Sequence, residues 1–180
     1  MLYAFGFDRI GVVASDLYFV DPNAPADQAG PEQGVRLEVR FLERGEPRGS
    51  MYSAWSITVD RPIWRADLLE SVDNPGSLDR AHHHPRIIGD GWEPGTRHFV
   101  EEMSADPVAW VGKRLSDLDG LLEEAGVSRD EVGPSDAEDL RIAAPEIVDT
   151  VRRMFERIQA GELAQPPSPD APASARVSWL

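Results

Sequence analysis

The chain is expected to fold as an α+β protein: a mostly antiparallel sheet of about five to six strands, packed by two C-terminal helices. Apolar residues between positions 2 and 72 recur with a period of two, the mark of half-buried strands. After Asp106 they recur at three- and four-residue spacing, the mark of amphipathic helices. Strands come first and helices last, so an antiparallel meander is the economical arrangement.

Residues 2–7 and 10–20 are rich in Val, Ile, Tyr and Phe and are separated by Asp8-Arg9, which predicts a hairpin or two neighbouring strands. Residues 21–34 shift to Pro, Ala, Asp, Asn, Gln and Gly, a loop excursion too polar to order itself. Residues 35–42 set Val35, Leu37, Val39 and Phe41 on one face and Arg36, Glu38 and Arg40 on the other. Residues 44–50 make a turn, and 51–59 read as another strand. Pro62 has no amide proton for a ladder, so Arg61-Pro62 is expected to interrupt before a strand resumes over 63–72. Asp73-Asn74-Pro75-Gly76-Ser77 is a turn, because Pro fixes φ and Gly supplies positive φ. It delivers the chain to His82-His83-His84, expected to pair as the next strand. A loop over 85–95 and a short strand over 97–103 follow, the latter carrying His98.

Asp106 as N-cap, Pro107 at the first helical position and Gly126 as stop frame one helix, with Val108, Val111, Leu115, Leu118, Leu121 and Leu122 on its apolar stripe. A polar stretch over 128–139 leads to a second helix over 145–160, stopped by Gly161. One domain is expected over 1–163, followed by a disordered Pro/Ser/Ala-rich tail over 164–180 whose apolar end, Val177-Ser178-Trp179-Leu180, suits docking or recognition.

Composition narrows the function. The net charge of −14 sets 32 acidic against 18 basic residues, and Lys113 is the only lysine. Such a surface repels nucleic-acid phosphates at long range, so a polynucleotide would need a local arginine cluster. A high-salt cytoplasm and a GC-rich genome would both produce this composition. With no cysteine, disulfides, thiolate metal sites and cysteine nucleophiles are excluded. No run approaches the roughly 18 apolar residues of a membrane span, and residues 1–7 lack the features of a signal peptide, so a cytoplasmic protein without a membrane partner is expected.

Three of the four histidines lie at 82–84. In an extended segment His82 and His84 share one side and His83 takes the other. His82 and His84 with a carboxylate, Asp79 in the first instance or else Asp73 or Glu70, make a two-His, one-carboxylate set suited to Zn, Mn, Fe or Ni. Metal-free phosphodiester cleavage is a second option. His82, His84 or His98 would serve as acid and base, and Arg65, Arg80, Arg86 or Arg97 would stabilise charge. The competing reading is structural: imidazoles capping a sheet edge and arginines paired to neighbouring carboxylates. There is no phosphate-binding glycine loop and no nucleophile elbow. Trp55, Trp64, Trp92 and Trp110 read as core or loop anchors.

The strand over 35–42, the strand over 52–58, Arg65-x-Asp67, the Asp73-Asn74 turn, the histidine run and the closing strand and helix together resemble the TumE-like group of small toxin-antitoxin proteins, over about half of the chain. The resemblance implies a compact α+β fold, a toxin role and a site at the Arg, Asp and His residues. The chain departs from that pattern in its length, acidic charge, N-terminal hairpin and second helix. Two classes follow. One is a His/Asp/Arg-site hydrolase or nuclease-like toxin component using His82, His84, Arg65, Asp67 and Arg80. The other is a non-catalytic protein-binding or assembly module with a structural histidine cluster.

Overall fold

A computed structural model describes residues 1–21, 29–47, 49–50, 54–88 and 91–167. Strands β1 (Leu2–Gly6), β2 (Ile10–Val20), β3 (Pro31–Arg44), β4 (Ile57–Ser71) and β5 (His82–His84) form one antiparallel sheet in meander order. The pair β6 (Ile87–Ile88) and β7 (Glu93–Pro94) makes a small second sheet. Helices α1 (Glu101–Ala105), α2 (Pro107–Leu115), α3 (Leu118–Ala125) and α4 (Asp136–Gln159) follow, with a 3₁₀ turn at Arg129–Glu131. The α+β class and the antiparallel sheet are those expected from the sequence.

Period-two alternation sorts the sheet into two faces. Val12 and Ala14 of β2, Val35, Leu37 and Val39 of β3, Trp64, Ala66 and Leu68 of β4 belong to the core with the helices. Burial of each large apolar side chain in that layer contributes about 1.5 to 3 kcal/mol. Arg36, Glu38 and Arg40 of β3 and Arg65 and Asp67 of β4 take the other face. Residue register carries the rows across strands: Arg36 lies opposite Asp67 and Asp67 opposite His82, while Glu38 lies opposite Arg65 and Arg65 opposite His84. Gly34 permits the close β3–β4 approach, since its φ is +155° and a Cβ would stand 2.1 Å from the Leu68 carbonyl oxygen.

Several elements differ from expectation. β3 begins at Pro31 rather than after Gly34, because pairing to β2 on one side and β4 on the other orders Glu32 and Gln33 despite their polarity. Residues 51–53 lie outside the described residues, 54–56 form no strand, and Ile57 opens a single strand that passes through Pro62. Register shifts flank Arg40, opposite Pro62, and such bulges accommodate a residue without an amide proton. The loop over 85–95 contains the β6–β7 pair. The strand expected over 97–103 shrinks to one bridge between His98 and His83, and Glu101 and Glu102 instead enter the first turn of α1, where negative charge is favoured.

The first expected helix is broken at Ser116-Asp117, because the Asp117 carboxylate accepts from the Gly120 amide and caps α3 as a new start. α4 begins nine residues before Pro145, since its apolar stripe extends back through Leu140 and Ala144, and their burial outweighs the amide hydrogen bond that proline lacks. At its far end Ala164, placed by sequence in the tail, is buried, and its amide donates to Asp16 Oδ2 at 2.8 Å. Positions 168–180, including the apolar end, lie outside the described residues. Among the described residues no helix is long and apolar enough to cross a membrane.

Candidate functional site

The site grows out of the Arg36–Asp67–His82 row at the β5 end of the sheet. Asp67 is 1% exposed. Its Oδ1 accepts from Arg36 Nε at 2.8 Å, and its Oδ2 accepts from Arg65 Nε at 2.9 Å and Nη2 at 2.6 Å. Burial by itself would raise the pKa of this carboxyl. The guanidinium groups of Arg36 and Arg65 overcome that and hold it well below the usual carboxylate range. For Arg65 burial is the larger influence and pushes the guanidinium down, with Arg36 adding to it. For Arg36 burial is again the largest single influence, but the charge and hydrogen bond of Asp67 together with Glu38 exceed it, and the shift is upward.

The imidazoles close the site. His82 Nδ1 lies 2.8 Å from the Arg80 carbonyl oxygen and His84 Nδ1 lies 2.8 Å from that of Gly95. A carbonyl only accepts, so Nδ1 carries the proton in both rings and Nε2 holds a lone pair when the ring is neutral. Both Nε2 atoms stand 3.5 Å from Asp67 Oδ2, are shut off from solvent and lack a hydrogen-bond partner. The three groups present one donor atom each within 4.8 Å of one another, so they could hold a metal ion. The edge of a tetrahedron with metal–ligand bonds of 2.0–2.2 Å is roughly 3.3–3.6 Å, which the two Nε2–Oδ2 separations match. A charge-assisted hydrogen bond would be shorter, about 2.7–2.9 Å.

The other residues singled out from sequence are placed as follows. Asp79, the carboxylate first assigned to the metal, instead closes the turn: it accepts from the Ser71 amide at 2.8 Å and the Ser77 hydroxyl at 2.7 Å. Strand register puts Asp67 opposite His82 and leaves Asp79 before the strand starts. Glu70 accepts from Gln33 Nε2, and Asp73 lies in the exposed turn. Arg80 supplies its carbonyl to His82, while its guanidinium lies 3.7 Å from Asp79. Arg86 donates to the Glu124 carbonyl, and Arg97 pairs with Asp21 and Glu32. Arg36, not singled out by sequence, is the second cation on Asp67; its only signal was its place on the polar face of β3. Glu32 was also missed: it is buried, its Oε2 has no hydrogen-bond partner, and burial raises its pKa against the pull of Arg97, His82 and Arg80.

Beside this cluster the polar face of the sheet borders a cavity of about 640 Å³, lined by Arg36, Arg40 and Arg65 and by apolar side chains of β1, β2 and β4. Trp92 stands on its wall, half exposed, while Trp64 stacks on Trp110 in the core and Trp55 is exposed.

His83 points the other way, into an aromatic nest of Trp64, Trp110 and His98. Burial first, then His98 and Arg114, lower its pKa from 6.5 to about 4. The unfolded chain therefore binds more protons than the folded one between these values. Stability from the neutral ring is full above pH 6.5 and lost as pH falls to about 4. We expect wild type to lose about 2 kcal/mol more than His83→Phe over that range in urea titrations on metal-free protein. Parallel curves would remove His83 as the cause.

Compared with known proteins, the chain matches no family model, no curated protein and no solved structure.

Proposed function

We propose that the chain is a divalent-metal hydrolase of phosphate esters, nuclease-like in its chemistry, with Asp67, His82 and His84 as metal ligands. The toxin role belongs to the same proposal and rests on the resemblance to TumE-like proteins. One observation carries the metal centre: two buried imidazole lone pairs converge at 3.5 Å on one carboxylate oxygen, with both rings locked by Nδ1–H bonds to backbone carbonyls. Asp67 Oδ2 already accepts from Arg65, and a bound ion would in addition satisfy the two imidazole lone pairs that face the same oxygen. Such an ion would supply a water of lowered pKa. Arg36 and Arg65, which line the cavity, would orient the ester and stabilise charge developing on its oxygens.

A specific observation favours the second class. All three ligand groups are at most 3% exposed, and Asp67 already carries two guanidinium groups that oppose an added cation. On that reading the cluster fastens β5 to β4 and the protein is a non-catalytic binding module.

Metal analysis decides between them. After dialysis against Zn, Mn or Ni, wild type is expected to retain one equivalent. His82→Ala/His84→Ala, checked for folding by circular dichroism, is expected to bind at least about 100-fold more weakly and to lose hydrolysis of bis(4-nitrophenyl) phosphate. Equal, substoichiometric metal in both folded proteins overturns the metal centre.

A further inference from the structure

We infer that the open face of the sheet is a binding site for a small aromatic phosphate ester of mononucleotide size, with its phosphate on Arg36 and Arg65 and its ring against Trp92. This names the substrate class of the proposed hydrolase; the binding itself needs no metal.

Size comes first. A cavity of about 640 Å³ lies within the range of roughly 300–1,000 Å³ typical of small-molecule sites. Charge then selects the head group. Three guanidinium groups line one cavity in a chain whose net charge is −14. Arg36 and Arg65 are held by the same buried carboxylate, so their side chains are fixed before a ligand arrives. Asp67 takes the Nε and Nη2 donors of both groups, so an anion would be met by single N–H donors rather than by a fork, and a phosphate monoester offers three terminal oxygens to such donors where a carboxylate offers two. Glu38 also lines the cavity and works against an anion, but Arg40 Nη1 contacts it at 2.6 Å. Asp16 also lines the cavity and accepts from the Ala164 amide.

The rest of the lining selects the body. Val13 and Leu17 supply an apolar wall from β2. The Arg40 guanidinium lies over the Trp92 ring at 5.4 Å from its centre and holds that ring at the cavity wall, where a ligand ring can pack against it. The net charge also decides between a small ligand and a polymer. Each added phosphate meets the long-range repulsion of the acidic surface, so a single phosphate on a local arginine cluster is tolerated where a polynucleotide is not. A phosphate on Arg65 would stand one guanidinium away from Asp67 Oδ2 and the histidine pair.

Isothermal titration of metal-free protein tests the site, with adenosine 5′-monophosphate, 1-naphthyl phosphate, 1-naphthoate, adenosine and inorganic phosphate as probes. The aromatic phosphates are expected to bind at least about tenfold more tightly than adenosine, phosphate or naphthoate. Binding of both esters assigns aryl phosphates in general; binding of the nucleotide alone assigns a mononucleotide. Val13→Trp, which fills the cavity from β2, is expected to abolish binding; Ala4→Trp on the edge strand does the same if the first variant does not fold. Esters that bind no better than inorganic phosphate, or that still bind the folded cavity-filling variants, overturn the site. Release of 1-naphthol in the presence of metal separates the two proposals. Binding without turnover of either 1-naphthyl phosphate or bis(4-nitrophenyl) phosphate removes the hydrolase and keeps the site, whereas turnover unchanged by Val13→Trp removes the site and keeps the hydrolase.

Discussion

Replacing Asp67 by alanine is expected to lower stability by about 3 to 5 kcal/mol, because it leaves two mostly buried guanidinium groups without their shared counter-charge. Arg36 and Arg65 are only 12% and 13% exposed, so water can screen little of the loss. Urea titration at pH 7 with an unchanged m-value measures it. The folded carboxyl titrates well below its ordinary 3.8, so its contribution is present above that pH and disappears as pH falls through the depressed folded value. The wild-type and Asp67→Ala curves should therefore converge only in strong acid. Replacing all three groups, Arg36→Met/Asp67→Leu/Arg65→Met, should recover most of the stability while removing a metal ligand, since paired buried charges are often no better than apolar groups of similar volume. A loss below about 1 kcal/mol in Asp67→Ala would show that solvent reaches the arginines freely and would weaken the account of the site.

Asp136→Ala is the second large effect, about 3 to 4 kcal/mol. Asp136 is fully buried, and its carboxylate accepts from the backbone amides of Asp8, Arg9 and Gly133, at 2.8, 3.2 and 2.6 Å. It ties the β1–β2 turn to the start of α4, where the helix dipole also favours a negative group. Alanine would leave three amide donors without their acceptor, the Gly133 amide in the interior and those of Asp8 and Arg9 partly buried. Asparagine keeps an acceptor and should cost about half as much. For a chain of this length the alanine variant should melt roughly 10 °C below wild type in a calorimetric scan. Equal melting temperatures would mean that water replaces the carboxylate.

Much of this arrangement was legible beforehand because it is local. The β1–β2 hairpin, the faces of β3 and the tight turn before the histidines depend on side-chain period and turn chemistry within a few residues. The sharing of one face by His82 and His84 is of the same kind, and β5 places both beside Asp67 and Arg65. Less legible were features in which local preference lost to packing. Pro62 continues a strand because a bulge absorbs it, and Pro145 sits inside α4 because the helix buries a longer stripe than its Pro-to-Gly frame implied.

The amino-acid sequence by itself determined the class of fold, the order of strands and helices and the acidic character, because periodicity and charge are properties of neighbouring residues. It also set His82 and His84 on one side of an extended segment and His83 on the other. The choice of carboxylate was a tertiary decision. Asp79 is nearer along the chain, but antiparallel register sets Asp67 across from His82 and brings Arg36 in from a third strand. The backbone carbonyls of Arg80 and Gly95 that aim the two rings likewise carry no side-chain signature. Groups separated by tens of residues meet only when strand pairing fixes which row each occupies, and one step of register would have sent every one of them to the opposite face.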